Sequence, residues 1–226
     1  MSKYSVIIPT LNEEKYLPAV LEHLINIDED IEIIIADGGS VDSTVKIAER
    51  FDVKVCRSEK GKGFQLNNGA SCANGDALLF LHADTFLPAN AFSLINEYLL
   101  VRKVDIAAFK MKFDKESFLM DIYSWFTKFD SIFTTFGDQA IVIRRDFFNE
   151  LNGFPKLTIF EDIELCRKAR SKTKIYKLPA FVNTSARRFD TIGIIKNQLL
   201  NALFILQYLV GIDPNNIYKK YFSDKL

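Results

Sequence analysis

Short β-branched runs alternate with amphipathic stretches through the first hundred residues. Residues 6–8 precede a helical pattern at 14–25, and residues 31–35 precede another at 42–51. The alternation continues with strands at 53–56 and 77–81 and helices at 63–73 and 89–101. This βαβα order predicts a parallel sheet with right-handed crossovers. Three of the predicted strands end at polar clusters: Pro9-Thr10, Asp37-Gly38-Gly39-Ser40 and His82-Ala83-Asp84. Ligands of an open parallel sheet bind beyond the carboxyl ends of its strands, so the three clusters are expected on one rim.

The second half is less regular. A strand is expected at 106–113, an aromatic-rich helix at 118–136 and a strand at 140–143. A helix beginning near Glu161 should carry Leu165, Cys166 and Ala169 inward, because they recur at three- and four-residue spacing. Phe118, Ile122, Trp125, Phe129, Phe133 and Phe136 form a stripe at helical spacing, which reads as core packing rather than lipid binding. The apolar stretch 192–212 is interrupted by Lys196, Asn197, Gln198, Asn201 and Gln207. A spanning helix needs roughly 20 mainly apolar residues, so this one is read as non-spanning. Burial is favoured for it, with a homodimer contact or peripheral contact with a membrane as the alternatives.

A length of 226 residues suits one well-buried α/β domain. The expected layout within it is a first half at about 1–110, a second half at about 111–190 and a C-terminal helical segment at 191–226. Twenty-nine basic side chains balance 29 acidic ones, which argues against a nucleic-acid partner and makes any phosphate affinity local. Cys56, Cys72 and Cys166 are odd in number and lack zinc-site spacing, so packing in a reducing compartment is expected. The apolar run after Lys3 is too short for the core of an export signal, and the expected location is the cytoplasm.

Several residues, at the predicted rim and elsewhere, are candidates to carry chemistry. Asp37 either closes an ordinary strand-to-helix turn or accepts a hydrogen bond from an imide N–H such as that of uracil. Asp84 follows an apolar strand, where a carboxylate suits a hard cation, Mg2+ or Mn2+, bridging a diphosphate; the competing role is a cap for the next helix. His82, two residues earlier, is a candidate second ligand, although a lone histidine at a strand end is more often structural. Glu161 and Asp162 stand at a predicted helix start, where the dipole favours acids in any case, or one of them removes a proton from an acceptor hydroxyl. Arg187 and Arg188 offer planar donors for a diphosphate, or form a solvated surface pair. Lys62 is a weaker phosphate candidate, and its Gly61-Lys62-Gly63 setting lacks the Walker spacing.

Taken in order, Val6 to Glu14 (VIIPTLNEE), Asp37-Gly38-Gly39-Ser40, Asp84, and Gly153-Phe154 followed by Glu161-Asp162 resemble the family 2 glycosyltransferases. The resemblance runs from about residue 4 to 190. Phe80 to Thr85 (FLHADT), Gly137-Asp138-Gln139 and Ser185 to Phe189 (SARRF) look closest to the subgroup labelled radical-SAM or selenodomain-associated transferases.

The resemblance implies a GT-A fold: a Rossmann-like nucleotide-binding half with a mixed, mainly parallel central sheet flanked by helices. It also implies inverting, metal-dependent transfer of a sugar from a nucleoside-diphosphate sugar, with UDP as the expected nucleotide, to a hydroxyl acceptor. Position by position, Pro9, Thr10 and Glu13 would border the nucleoside and Asp37 its base. Asp84 would be the last acid of the family's DxD motif, binding metal and diphosphate, and Asp162 the base of its ED motif. Arg187 and Arg188 fall where relatives place diphosphate contacts. His82 departs from the pattern by replacing the first DxD acid. Gln65 and Asn67 match the subgroup pattern with no role derivable from sequence. A nucleotidyltransferase and a catalytically silent nucleotide-sugar-binding module are the alternatives. A dinucleotide dehydrogenase is disfavoured because the first turn lacks GxGxxG.

Overall fold

The structure, a computed structural model, describes residues 3–115, 117–157, 159–187 and 193–223. Its first half is the expected alternation: β1 (Tyr4–Thr10), α1 (Leu17–Ile25), β2 (Ile31–Asp37), α2 (Thr44–Arg50), β3 (Lys54–Arg57), α3 (Lys62–Cys72) and β4 (Ala77–Phe80). Next come a two-residue strand β5 (Thr85–Phe86), the short helix α4 (Ala91–Ile95) continued by a π-helical turn (Asn96–Val101), and β6 (Ile106–Phe113). Helix α5 (Phe118–Phe126), β7 (Ile141–Arg144), α6 (Arg145–Glu150), α7 (Glu161–Arg170) and β8 (Tyr176–Thr184) complete the body. Helices α8 (Ile194–Leu209) and α9 (Pro214–Ser223) follow.

All eight strands form one sheet in the order β3-β2-β1-β4-β7-β6-β8-β5. The first four are parallel, β7 runs antiparallel to both β4 and β6, and β8 is parallel to β6. Both faces are covered, which is why the central strands are apolar throughout rather than alternating. Val6 and Ile8 point to the side of Leu17, Leu21, Phe92 and Phe109. Ile7 points to the opposite side, with Ile34, Leu66, Leu78 and Phe80. Full burial of one such side chain contributes roughly 1.5–3 kcal/mol. Helix α3 lies so close to the sheet that a Cβ on Gly69 would stand 2.5 Å from Ile7 Cγ2. That contact fixes the height of the helix whose first turn faces the candidate site.

Three expectations are corrected. The aromatic helix ends at Phe126, ten residues early. Beyond it, hydroxyls take over the backbone's partners: Thr127 Oγ1 donates to the Ser124 carbonyl (2.7 Å) and Thr134 Oγ1 to that of Phe129 (2.7 Å). Thr135 Oγ1 donates to Asp130, whose carboxylate also holds Arg170 of α7. Such local bonds compete with helix formation. The stripe is also not in the core, since Phe118, Trp125 and Phe129 are all exposed. Burial of α8 holds for one side only: Phe204 and Ile205 are buried, whereas Leu199 and Leu206 are not.

The third correction concerns the cysteines. Cys56 on β3 and Cys72 at the end of α3 form a disulfide, with Cα atoms 6.8 Å apart, and only Cys166 stays a buried thiol. Sequence spacing gave no hint, because the pair is brought together by α3 packing across β3. The cysteine count therefore no longer argues for a reducing compartment. Among the described residues, no helix is long and apolar enough to cross a membrane.

Candidate functional site

The carboxyl ends of β1 and β4 open into a cleft of about 860 Å³. Of the residues singled out from sequence, Pro9, Thr10, Glu13, Lys62, His82, Asp84, Glu161, Asp162 and Arg187 line it. Arg188 lies outside the described residues.

One wall is a charge cluster. Asp84 is nearly buried and follows β4, which is parallel to β1. Arg187 Nε forms an ion pair with Asp84 Oδ2 (2.9 Å), and both terminal nitrogens donate to Glu13 (3.0 and 3.0 Å). The guanidinium also lies over the Tyr16 ring, 4.2 Å from its centroid. Burial opposes the Arg187 charge, but Glu13 and Asp84 hold it protonated above its ordinary range. The preceding residues are tied down as well: Ser185 N–H donates to the Asp84 carbonyl (3.2 Å) and Ala186 N–H to Asp114 (2.8 Å). Neither the cap role for Asp84 nor the surface role for Arg187 fits this geometry.

The opposite wall is the start of α7. Asp162 Oδ2 accepts from Gly137 N–H (2.6 Å) and Oδ1 from Ile163 N–H (2.8 Å), so the carboxylate is held in one orientation. A Cβ at residue 137 would sit 3.1 Å from Asp162 Oδ2 and 3.3 Å from Lys62 Nζ, which explains the glycine there. Glu161 is buried, 3.6 Å from Lys62 Nζ. Burial pushes its carboxyl above the ordinary range; Lys62 opposes the shift and the Asp162 charge reinforces it. Tyr123 also lines the cleft, and burial, followed by Asp138 and Asp162, raises its phenol well above the ordinary value. Phe160, just before α7, packs on Tyr208 of α8, whose hydroxyl donates to Glu164 (3.0 Å).

Asp37 serves the strand-to-helix turn, the first of the two roles its position offered. It is 2% exposed and is absent from the cleft lining. Its carboxylate accepts from Gly39 N–H (3.0 Å), Ser40 N–H (2.9 Å), Ser40 Oγ (2.5 Å) and Thr10 Oγ1 (3.1 Å). It thus braces the 37–40 turn and orients Thr10, which does reach the cleft. Asp37→Ala would strand these donors and is expected to destabilise the fold by roughly 3 kcal/mol, measurable as a lower urea midpoint with unchanged slope.

Residues without a role in the sequence acquire one. Gln65 Nε2 donates to the carbonyls of Thr10 (2.7 Å) and Ala36 (3.0 Å), joining the ends of β1 and β2. Asn67 exchanges two hydrogen bonds with Phe154, both 2.9 Å, and so anchors the Gly153-Phe154 turn to α3. Gln139 donates to the Thr134 carbonyl (2.6 Å) and accepts from Lys177, whose ammonium burial brings down to about 8. Lys60, beside Lys62 in the cleft, was overlooked. The Glu13–Arg187 pair spans 174 residues, so no local signal could reveal it.

A metal fits this site only in part. Asp84 supplies a hard oxygen, but its Oδ2 is engaged by Arg187, and among the described residues no three acidic, histidine or cysteine side chains gather around one point. One carboxylate is too few for a resident ion and suits an ion carried in on a diphosphate, which supplies further oxygens.

A four-stranded parallel unit extended by antiparallel strands, with acids beyond β4 and at the start of α7, defines a GT-A glycosyltransferase fold. The sequence pattern of Glycosyl transferase family 2 matches residues 5–161, and the chain belongs to that family. The 1–349 portion of Staphylococcus aureus TarS, in complex with UDP-GlcNAc, superposes with a TM-score of 0.68 at 19% identity, covering 95% of this chain and 69% of that one. The mannosyltransferase PcManGT from Pyrobaculum calidifontis, in complex with GDP-Man and Mn2+, gives 0.69 at 17% identity, covering 95% and 66%.

In sequence, a Methanococcus voltae dolichyl N-acetyl-α-D-glucosaminyl phosphate 3-β-D-2,3-diacetamido-2,3-dideoxy-β-D-glucuronosyltransferase is 36% identical over 97 residues, which is 38% of this chain and 30% of that protein. Full-length TarS, a poly(ribitol-phosphate) β-N-acetylglucosaminyltransferase, is 30% identical over 122 residues, 50% of this chain and 21% of that protein. The matched stretches thus span less than a third of either relative.

Proposed function

We propose that the chain is an inverting glycosyltransferase that moves a sugar from a nucleoside diphosphate, UDP in the first instance, to an acceptor hydroxyl. The observation that carries this reading is the pairing, across one cleft, of the Glu13–Asp84–Arg187 cluster with Glu161 and Asp162. Cations and a metal-ready carboxylate suit a departing diphosphate, and an oriented carboxylate suits proton removal. The family supports sugar transfer, and relatives of the same fold are known with UDP-GlcNAc and with GDP-Man plus Mn2+.

In this reading the nucleoside lies along Pro9, Thr10 and Glu13, with Asp37 acting through Thr10 rather than on the base directly. Lys60, Lys62 and Arg187 attract the diphosphate. A Mg2+ or Mn2+ held between Asp84 and the diphosphate would add charge neutralisation there, with His82 as its neighbour. The acceptor oxygen attacks the anomeric carbon as the bond to the diphosphate oxygen breaks. Its proton passes to Asp162, and the nucleoside diphosphate leaves with the bonding electrons. Charge stabilisation at the leaving group and general-base help each contribute on the order of 10²-fold or more. The subgroup of radical-SAM-associated transferases remains part of the proposal, resting on the FLHADT and SARRF stretches.

A thermal-shift and donor-hydrolysis panel across UDP, GDP and dTDP sugars, with and without Mn2+, tests the reading. A metal-enhanced shift by UDP sugars, with release of UDP, is expected. Release of pyrophosphate would point instead to nucleotidyl transfer, and no shift with any nucleotide would overturn the donor assignment.

A further inference from the structure

Helices α5 and α8 touch one another, and their inner sides line the cleft through Tyr123, Asn201 and Ile205. Their outer sides are apolar. On α8 and at its C-cap, Leu199, Leu203, Leu206 and Val210 recur at four-, three- and four-residue steps, and all are exposed. On α5 and the turn after it, Phe118, Ile122, Trp125 and Phe129 repeat the same spacing and are exposed too, Phe118 at 79%. Single exposed apolar residues are ordinary, but two neighbouring stripes of large ones mark a contact surface. Phe133 belongs to both regions, since it is exposed and also lines the cleft. The apolar face therefore borders the candidate active site.

We propose that this face docks on an anionic lipid bilayer, lying on its surface with Trp125 and Phe118 inserted. The charges at its edge select that occupant. Lys128 and Lys196 are exposed on these elements, Lys115 just before α5, and Lys219 and Lys220 on the adjoining α9, against exposed Asp114, Asp121 and Asp213. A second copy is the less suited occupant, because an isologous dimer through this patch would bring its excess of lysines together. Amphipathic helices with apolar and basic sides bind in the plane of a membrane interface. None of the described helices is long and apolar enough to cross it. Docking here would bring the cleft mouth at Phe133 close to the lipid, so that an acceptor held in the bilayer could reach Asp162. The docking itself is independent of the donor chemistry, since it requires neither nucleotide nor metal.

Trp125 is the sole tryptophan and sits in the patch, so the whole chain carries its own reporter. Its fluorescence is to be followed as vesicles of phosphatidylcholine alone, or mixed with phosphatidylglycerol, are added, with co-sedimentation in parallel. A shift to shorter wavelength and sedimentation with the anionic vesicles are expected. Lys128→Gln and Lys196→Gln should each weaken that binding about fivefold. Phe118→Ser with Phe129→Ser should abolish it while circular dichroism and the thermal shift with UDP stay unchanged. Unaltered emission and no sedimentation with either vesicle would overturn the proposal, as would equal binding to both vesicle types. A concentration-dependent dimer in size-exclusion chromatography, without vesicle binding, would assign the face to a second copy instead.

Discussion

Replacing Asp162 with Asn is expected to lower single-turnover sugar transfer by at least about 10²-fold, the lower range for a positioned general base. Asn keeps the size of the side chain but cannot accept the acceptor proton. Folding and nucleotide affinity should survive, because the hydrogen bonds from Gly137 and Ile163 end on oxygens and an amide oxygen can retain one of them. Glu161 is the rival. It is buried against Lys62, and its carboxyl is held above the ordinary range by that burial, whereas Asp162 is fixed by two backbone donors and is less deeply covered. Glu161→Gln should therefore act mainly through folding and through Lys62, with a smaller loss of transfer. Donor affinity measured separately distinguishes chemistry from binding. Loss of transfer in Glu161→Gln alone would move the base to Glu161.

Removing the Asp84 carboxylate should abolish the Mn2+-dependent part of donor binding, and wild-type protein should take up little Mn2+ until UDP is present. The reason is Arg187, whose Nε already lies 2.9 Å from Asp84. A second cation about 4 Å from that guanidinium meets a repulsion on the order of 4 kcal/mol per unit charge at an effective dielectric of 20. The negative diphosphate relieves this by giving Arg187 another partner and supplying oxygens to the ion. Paramagnetic relaxation of water during Mn2+ titration, with and without UDP, measures the synergy. His82→Ala should reduce uptake less, since imidazole is the poorer ligand for a hard ion. Equal uptake by wild type and Asp84→Ala would remove Asp84 from the metal site.

Much of the parallel half was legible because its information is local. Apolar runs such as 31–35 have few alternatives to a strand buried on both faces, and polar residues directly after β1 and β4 reached the cleft. Asp37 shows where that logic stops. The position at a strand end was read correctly, but whether its carboxylate faces solvent or the Ser40 turn depends on four donors brought in by folding. The stretch 127–136 was misread for a related reason. Its aromatic spacing continues the helical pattern, while the hydroxyls of Thr127, Thr134 and Thr135 claim the backbone and Asp130. Gln65, Asn67 and the Cys56–Cys72 pair carry no periodic signal, since their partners lie on other elements.

Helix α3 has a mechanical consequence. Through Gln65 it grips the ends of β1 and β2, through Asn67 it grips the turn at Phe154, and through Lys62 it touches Glu161. The cleft's two walls are thereby bolted to the same rod, which Gly69 seats directly on the sheet. A jaw-like rotation of one wall against the other would have to break those contacts together. Adjustment to the donor is left to parts outside the rod's grip, chiefly the Arg187 side chain and the 127–136 segment. Any adjustment to a bound ligand would then be a matter of swinging side chains and a reshaped rim, with the start of α7 kept in step with the ends of β1 and β2.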